Sequence, residues 1–130
     1  MLQPSLNKIG VNRFKKFKEY SRAEPGKIWV LISYPNSDIY LAAQKMIGSA
    51  SFKALSKTYD TIPADKPVFT RYESSLLLAF DGMPQMRDLI DKADLFELRI
   101  YEGYSEDAVH RKIEMFNNEE IELFDRTGLH

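Results

Sequence analysis

The chain has 130 residues, of which 44% are hydrophobic and 28% charged, and this composition is typical of one globular domain with its own core. The 18 lysines and arginines nearly balance the 19 aspartates and glutamates. The resulting net charge of −1 excludes a general polyanion binder. The chain has no cysteine, which excludes disulfides, thiolate metal sites and iron–sulfur clusters. No apolar run approaches the ~20 residues that span a bilayer.

The first third of the chain predicts the end of a helix followed by two strands. Leucine and isoleucine recur at helical spacing in residues 1–10, and Gly10 suits the position after a helix. Residues 11–20 carry lysines among phenylalanines, a pattern that predicts an edge strand. The apolar run at 27–34 predicts a central strand covered on both faces, with Trp29 in the core.

Two helices are predicted next. Asn36 or Ser37 can cap the first, which has Asp38 in its first turn. Its expected buried stripe is Leu41, Ala42, Met46 and Ile47. A second short helix, with Phe52, Leu55 and Tyr59 on one side, should end before Pro63.

The second half predicts two strands and a long helix. Alternating apolar and polar residues indicate strands over 68–80 and 95–102, separated by a linker at 82–94. Ser105 should cap a helix that stops at Gly128. Its expected buried residues are Val109, Ile113, Phe116, Leu123 and Phe124.

The order of these elements predicts an α+β fold with a ferredoxin-like antiparallel sheet and helices on one face. A ferredoxin-like domain runs strand, helix, strand, strand, helix, strand. The chain contains the same six elements, but the opening strand and helix stand at the end. The element order is therefore permuted, and residues 95–130 are expected to supply the strand and helix that the amino-terminal part lacks.

Two strand motifs resemble the NIPSNAP family. The motif Phe96-Glu97-Leu98-Arg99-Ile100-Tyr101-Glu102, with the helix after it, looks like the start of a NIPSNAP domain. The motifs Val30-Leu31-Ile32-Ser33-Tyr34-Pro35 and Glu73-Ser74-Ser75-Leu76-Leu77-Leu78-Ala79-Phe80-Asp81-Gly82-Met83-Pro84 look like the second half of a preceding copy in bacterial two-copy members. The resemblance thus implies the end of one copy at 1–81, the linker, and the start of the next copy at 95–130.

The resemblance implies a dimeric α+β barrel, in which two ferredoxin-like sheets face each other around a cavity. It also implies a homodimer, but no agreed reaction, so whether the protein is an enzyme is left open. The linker at 82–94 spans roughly 40 Å when extended, which permits completion of the sheet within one chain or by strand exchange between two.

The candidate site is a charged face shared by the two later strands. If their apolar residues cover the helices, then five residues point to the cavity side: Arg71, Glu73, Glu97, Arg99 and Tyr101. Antiparallel pairing of Glu73 with Arg99 avoids like-charge pairs that cost about 0.2 to 1 kcal/mol each. These groups could orient a small polar or anionic ligand, with Glu97 as a base, or form an internal salt-bridge network that satisfies only itself.

Other candidate sites are weaker. His110 and Glu114 are one helical turn apart, but a third metal ligand is missing, so no metal and no cofactor is expected. The basic and aromatic residues at 13–18 resemble a single-strand binding pattern, but an edge strand explains them, and no nucleic acid is expected.

Two functions remain open at this stage. One is a NIPSNAP-like protein of unassigned reaction that binds a small molecule in a barrel cavity. The alternative is a non-catalytic self-association or protein-interaction module, because incomplete sheets pair with other chains. With no signal peptide and no membrane segment in the sequence, a cytoplasmic location is expected if the chain is complete.

Overall fold

A computed structural model describes residues 2–22, 24, 26–88 and 95–128. The chain forms two compact units, Met1–Ser75 and Leu76–His130, and each is described by itself below. The architecture is α+β, with one two-stranded antiparallel sheet and several helices. No helix in the described part is both long and apolar enough to cross a membrane.

The first unit begins with a short helix that leads into a hairpin. Helix α1 (Leu2–Asn7) ends before Gly10, whose φ of +83° places it in the left-handed region as predicted. The backbone amide of Val11 then donates to the carbonyl of Leu6 at 3.0 Å. The side chains of these two residues are fully buried and form a small core with Ala43.

The two predicted amino-terminal strands are confirmed. Strand β1 (Arg13–Lys18) pairs antiparallel with β2 (Ile28–Ser33), with Arg13 opposite Ser33 and Lys18 opposite Ile28. The prediction that β2 is covered on both faces is wrong, because Trp29 is 44% exposed. An apolar strand is buried only when further elements cover it, and within the described residues β1 is its sole ladder partner.

Two helices complete the first unit. Helix α2 (Ser37–Ile47) is capped by Asn36, whose Oδ1 accepts from the amide of Ile39 at 2.9 Å. Helix α3 (Ala50–Asp60) is capped in the same way by Ser49.

The expected stripe of α2 is displaced. Leu41, Ala42 and Ile47 are exposed, whereas Ile39, Ala43 and Met46 contact the core. The reason is that α2 packs against the small buried cluster around Leu6. The helix face that makes this contact is offset by about one residue from the most apolar face of the helix.

The second unit is built on a continuous helical stretch. Helix α4 (Glu106–Met115) begins at Ser105, whose Oγ accepts from the amide of Ala108 at 3.2 Å, as predicted for this cap. One π-helical turn (Phe116–Glu120) follows, and helix α5 (Ile121–Thr127) then ends at Gly128, with φ of +76°. The π-helical turn was not predicted.

Residues 68–80 and 95–102 are not strands in the described structure, contrary to prediction. A strand is defined by its ladder partner, and neither segment has one among the described residues, so most of their apolar side chains are exposed to solvent. Leu78 is 98% exposed and Leu98 is 62% exposed. A ferredoxin-like sheet is compatible with the observed elements, but the further strands, the permutation and the dimeric barrel stay predictions.

Candidate functional site

The first two predicted site residues form a local ion pair in the first unit. The Nη2 atom of Arg71 lies 2.6 Å from Oε1 of Glu73, and both side chains are largely exposed. The two residues are separated by one position in the chain, so the ion pair is local and needs no distant part of the fold. The predicted pairing of Glu73 with Arg99 stays a prediction.

The other three predicted residues lie together in the second unit. Nη2 of Arg99 donates to Oε2 of Glu97 at 2.9 Å. A hydrogen bond from Arg99 and its charge lower the pKa of the Glu97 carboxyl. The pKa of the Arg99 guanidinium is raised, mainly by a hydrogen bond with Glu97 and then by one with Tyr101.

This arrangement favours anion recognition over proton abstraction. The lowered pKa makes Glu97 a carboxylate at neutral pH but a weaker base, which argues against the role expected for it. Arg99 has further N–H donors beyond the one that Glu97 accepts, and the planar guanidinium suits a carboxylate or a phosphate.

Tyr101 also belongs to an aromatic cluster centred on Phe116. The Phe116 ring stacks on that of Phe80 with centroids 5.0 Å apart, and it meets Tyr101 edge to face at 5.5 Å. Phe124 approaches it from the next turns of the helix at 6.3 Å. The cluster therefore connects Phe80 and Tyr101 to the helical stretch that follows Ser105.

A lysine and a glutamate border the aromatic cluster. The Lys112 ammonium lies 4.6 Å from the Tyr101 ring centroid and 5.1 Å from that of Phe116. It also donates to Oε1 of Glu120 at 3.2 Å. The second carboxylate oxygen of Glu120 is buried and has no hydrogen-bond partner among the described residues.

The beginning of the predicted linker is anchored on the same helical stretch. The amide of Gly82 donates to Oδ1 of Asn117 at 3.0 Å, and Gly82 lies close to Ile121. Arg87 binds Asp125 through both guanidinium nitrogens, with Nη2 and Oδ2 2.9 Å apart. Residues 89–94, the rest of the linker, lie outside the described residues.

The aromatic cluster was missed at the sequence level, although one signal pointed to it. The expected stripe of the long helix passes from Phe116 to Leu123, but Leu123 is exposed and Ile121 is buried instead. Phe116 and Ile121, which both contact the site, are five residues apart. Side chains on one face of an α-helix are three or four residues apart, so a spacing of five fits a π-helical turn.

The weaker candidates stay outside this site. Within the described residues, no group of three or more histidine, aspartate or glutamate side chains gathers in a way that could hold a metal ion. His110 is exposed on α4, and the basic segment at 13–18 forms the outer strand β1.

Comparison with protein-family models, with curated proteins and with solved structures finds no match for this chain. The resemblance to the NIPSNAP family therefore stays a prediction that rests on the strand motifs themselves.

Proposed function

We propose that the protein is a self-associating α+β domain, in which two copies pair their extended segments to form a NIPSNAP-like dimeric barrel. The observation that carries the proposal is the solvent exposure of most apolar side chains in the two segments 68–80 and 95–102, among them Leu76, Leu78 and Leu98. Contiguous apolar surface of this kind is rare on a monomer and is typical of an interaction site.

The sequence of the two segments favours a second copy as the partner. Each segment alternates, so one side is apolar while the other carries a balanced ion pair, Arg71 with Glu73 or Glu97 with Arg99. Antiparallel pairing of one segment with the other places a carboxylate opposite a guanidinium on one face and apolar residues on the other. The hydrogen bonds of such a ladder would join the backbone N–H and C=O groups of the two segments.

The experiment is sedimentation or light scattering over a concentration series, combined with substitutions on the apolar side. Leu98→Asn should weaken the dimer at least tenfold, because it removes one apolar side chain from each copy's contact. Leu41→Asn is the matched control, since Leu41 is also a leucine, is 54% exposed and lies outside both segments. A monomer at every concentration for the parent chain contradicts the proposal.

A second function, recognition of a small anionic ligand, is supported by the Glu97–Arg99–Tyr101 group. In a barrel built from these segments this side faces the cavity, where an arginine with unused donors and a tyrosine hydroxyl suit a carboxylate.

The test is a thermal-shift and calorimetric titration with a small dicarboxylate such as succinate. Arg99→Gln should abolish the shift, whereas Arg87→Gln, which removes an arginine that binds Asp125, should retain it. A thermal shift with succinate that persists in the Arg99→Gln variant contradicts this role. The oligomeric state is measured separately, because ligand binding and dimerisation are tested independently.

A further inference from the structure

We infer that the outer end of the β1–β2 hairpin binds the surface of an anionic lipid bilayer. The outer end is defined by two cross-strand pairs, Lys16 with Val30 and Lys18 with Ile28. Such binding is peripheral and needs no membrane-spanning segment. The inference goes beyond self-association and beyond the recognition of a small anion, because it concerns the first unit alone.

The even-numbered face of the hairpin is covered by the core at one end only. Phe14 and Ile32, which are cross-strand partners, both pack against the buried cluster around Leu6. The next two pairs on the same face are exposed. Ile28 is 74% exposed and Val30 is 50% exposed, and the lysines opposite them are exposed as well. The hairpin therefore extends past the core and presents these four side chains to solvent.

The exposed end combines positive charge with aliphatic surface. Each of its two lysines lies opposite an exposed aliphatic residue, and neither strand contains an aspartate or a glutamate. Glu19, the acidic residue that follows β1, accepts a hydrogen bond at Oε2 from the backbone amide of Lys27 at 3.2 Å. The outer end is thus locally cationic, although the whole chain has a net charge of −1.

This combination decides which occupant fits. An anionic bilayer attracts lysines at its surface, by about fivefold in partition coefficient for each lysine, and it also accepts aliphatic side chains below the head groups. The long lysine side chain keeps its ammonium among the head groups while its aliphatic neighbours lie deeper. A single-stranded nucleic acid fits less well, because its bases stack on aromatic rings, whereas the exposed apolar residues of this face are aliphatic.

A fluid partner also suits the exposure of the neighbouring residues. Trp29 and Leu31, which alternate with the aliphatic residues of the outer end, are 44% and 46% exposed. Tyr20, in the turn after β1, is 94% exposed, and tyrosine and tryptophan are enriched at membrane–water interfaces. A rigid protein surface covers one face of a two-stranded ribbon, whereas lipid can surround it.

Trp29 makes the binding directly observable, because it is the single tryptophan of the chain and lies between Ile28 and Val30. Its fluorescence should shift saturably to shorter wavelength when vesicles of phosphatidylcholine with about one third phosphatidylserine are added. Sedimentation with the same vesicles measures the bound fraction. Vesicles of pure phosphatidylcholine should bind about tenfold more weakly or less, because they keep the apolar phase but lack the negative charge.

Paired lysine variants test the charge. The double change Lys16→Gln and Lys18→Gln should weaken binding to the anionic vesicles about tenfold or more. Its matched control is Lys53→Gln with Lys57→Gln, which makes the same charge change at exposed positions of α3. The control should leave binding within about twofold of the parent chain.

Paired isoleucine variants test the aliphatic contact. Ile28→Thr should weaken binding about fivefold, because it removes apolar surface that would enter the lipid. Ile47→Thr, at the end of α2, should leave vesicle binding unchanged. Urea unfolding checks the fold of each variant, and the midpoint of Ile28→Thr should stay near that of the parent because Ile28 is largely exposed.

Several results would overturn the inference. They are the absence of a saturable Trp29 shift, equal binding to neutral and anionic vesicles, equal effects of the two double lysine variants, and an unchanged affinity of Ile28→Thr. A single-stranded oligonucleotide or polyglutamate that binds as tightly as the anionic vesicles would also overturn it, in favour of a general polyanion surface.

These outcomes are independent of the proposed dimer. The oligomeric state is measured on the same samples before vesicles are added, so a failure of vesicle binding by an intact dimer counts against this surface alone. Loss of dimerisation with retained, Lys16- and Lys18-dependent vesicle binding counts against the proposed function and supports the lipid-binding surface.

Discussion

Phe116→Leu should destabilise the second unit, because Phe116 holds three aromatic side chains together. Leucine keeps most of the apolar volume but removes the ring contacts with Phe80, Tyr101 and Phe124. Each ring pair contributes about 0.5 to 1.5 kcal/mol beyond burial, and the contact with the Lys112 ammonium contributes about 0.5 to 1 kcal/mol. Because Phe116 is only half-buried, the lower ends of these ranges apply, and the expected loss is about 2 kcal/mol.

The assay is urea unfolding followed by helical circular dichroism, in which about 2 kcal/mol lowers the midpoint by about 1 M for a protein of this size. Phe52→Leu is the matched control. Phe52 is also a half-buried helical phenylalanine, and no ring contact involving it is found among the described residues. The reasoning is refuted if both variants lose the same stability, because the effect would then come from volume and not from the ring contacts.

Three further changes test separate features. Ser105→Ala should cost about 1 kcal/mol in urea unfolding, because the amide of Ala108 loses its acceptor. Gly103→Ala should cost about 1 to 2 kcal/mol, since an added Cβ would lie 2.6 Å from Cγ2 of Val109, whereas Gly48→Ala, which meets only ordinary contacts, should be nearly neutral. In a carbon-13 NMR titration, the Glu97 carboxyl should titrate below the pKa of an unpaired glutamate, and Arg99→Gln should restore the ordinary value.

The sign of the pH effect follows from the direction of the Glu97 shift. A carboxyl whose pKa is lowered in the folded protein stabilises the fold above its unfolded pKa, and this contribution is lost as the pH falls through the folded pKa. Stability attributable to Glu97 should therefore be constant near neutrality and decrease in the acid range. An Arg99→Gln variant with an unchanged titration would contradict the ion pair.

Local signals in the sequence were enough to locate most helix ends. Asn36 and Ser105 each precede an acidic first turn, and both act as caps through their own side chains. Gly10 and Gly128 both adopt the left-handed conformation that ends a helix. These features depend only on residues within one turn, so no knowledge of distant contacts is needed.

Predictions that depend on distant partners were less successful. The apolar pattern of β2 does indicate a strand, but it does not say what covers Trp29, which is exposed here. The same limit applies to 68–80 and 95–102, because alternation indicates an extended segment and not its partner. For the site, the placement of Glu97, Arg99 and Tyr101 on one cavity-facing side stays a prediction, and the contact between Tyr101 and Phe116 requires the folded helix.

The π-helical turn at Phe116–Glu120 makes the second unit sensitive to chain length at one place. Removing a single residue there, such as Asn118, would convert the stretch into an uninterrupted α-helix and rotate everything after it by about 100°. Ile121, Phe124 and Asp125 would then turn away from Gly82, Phe116 and Arg87 together. The helical phase set by this one residue thus couples three contacts that are otherwise separate: the ring contact of Phe124, the packing of Ile121 on Gly82, and the ion pair of Asp125.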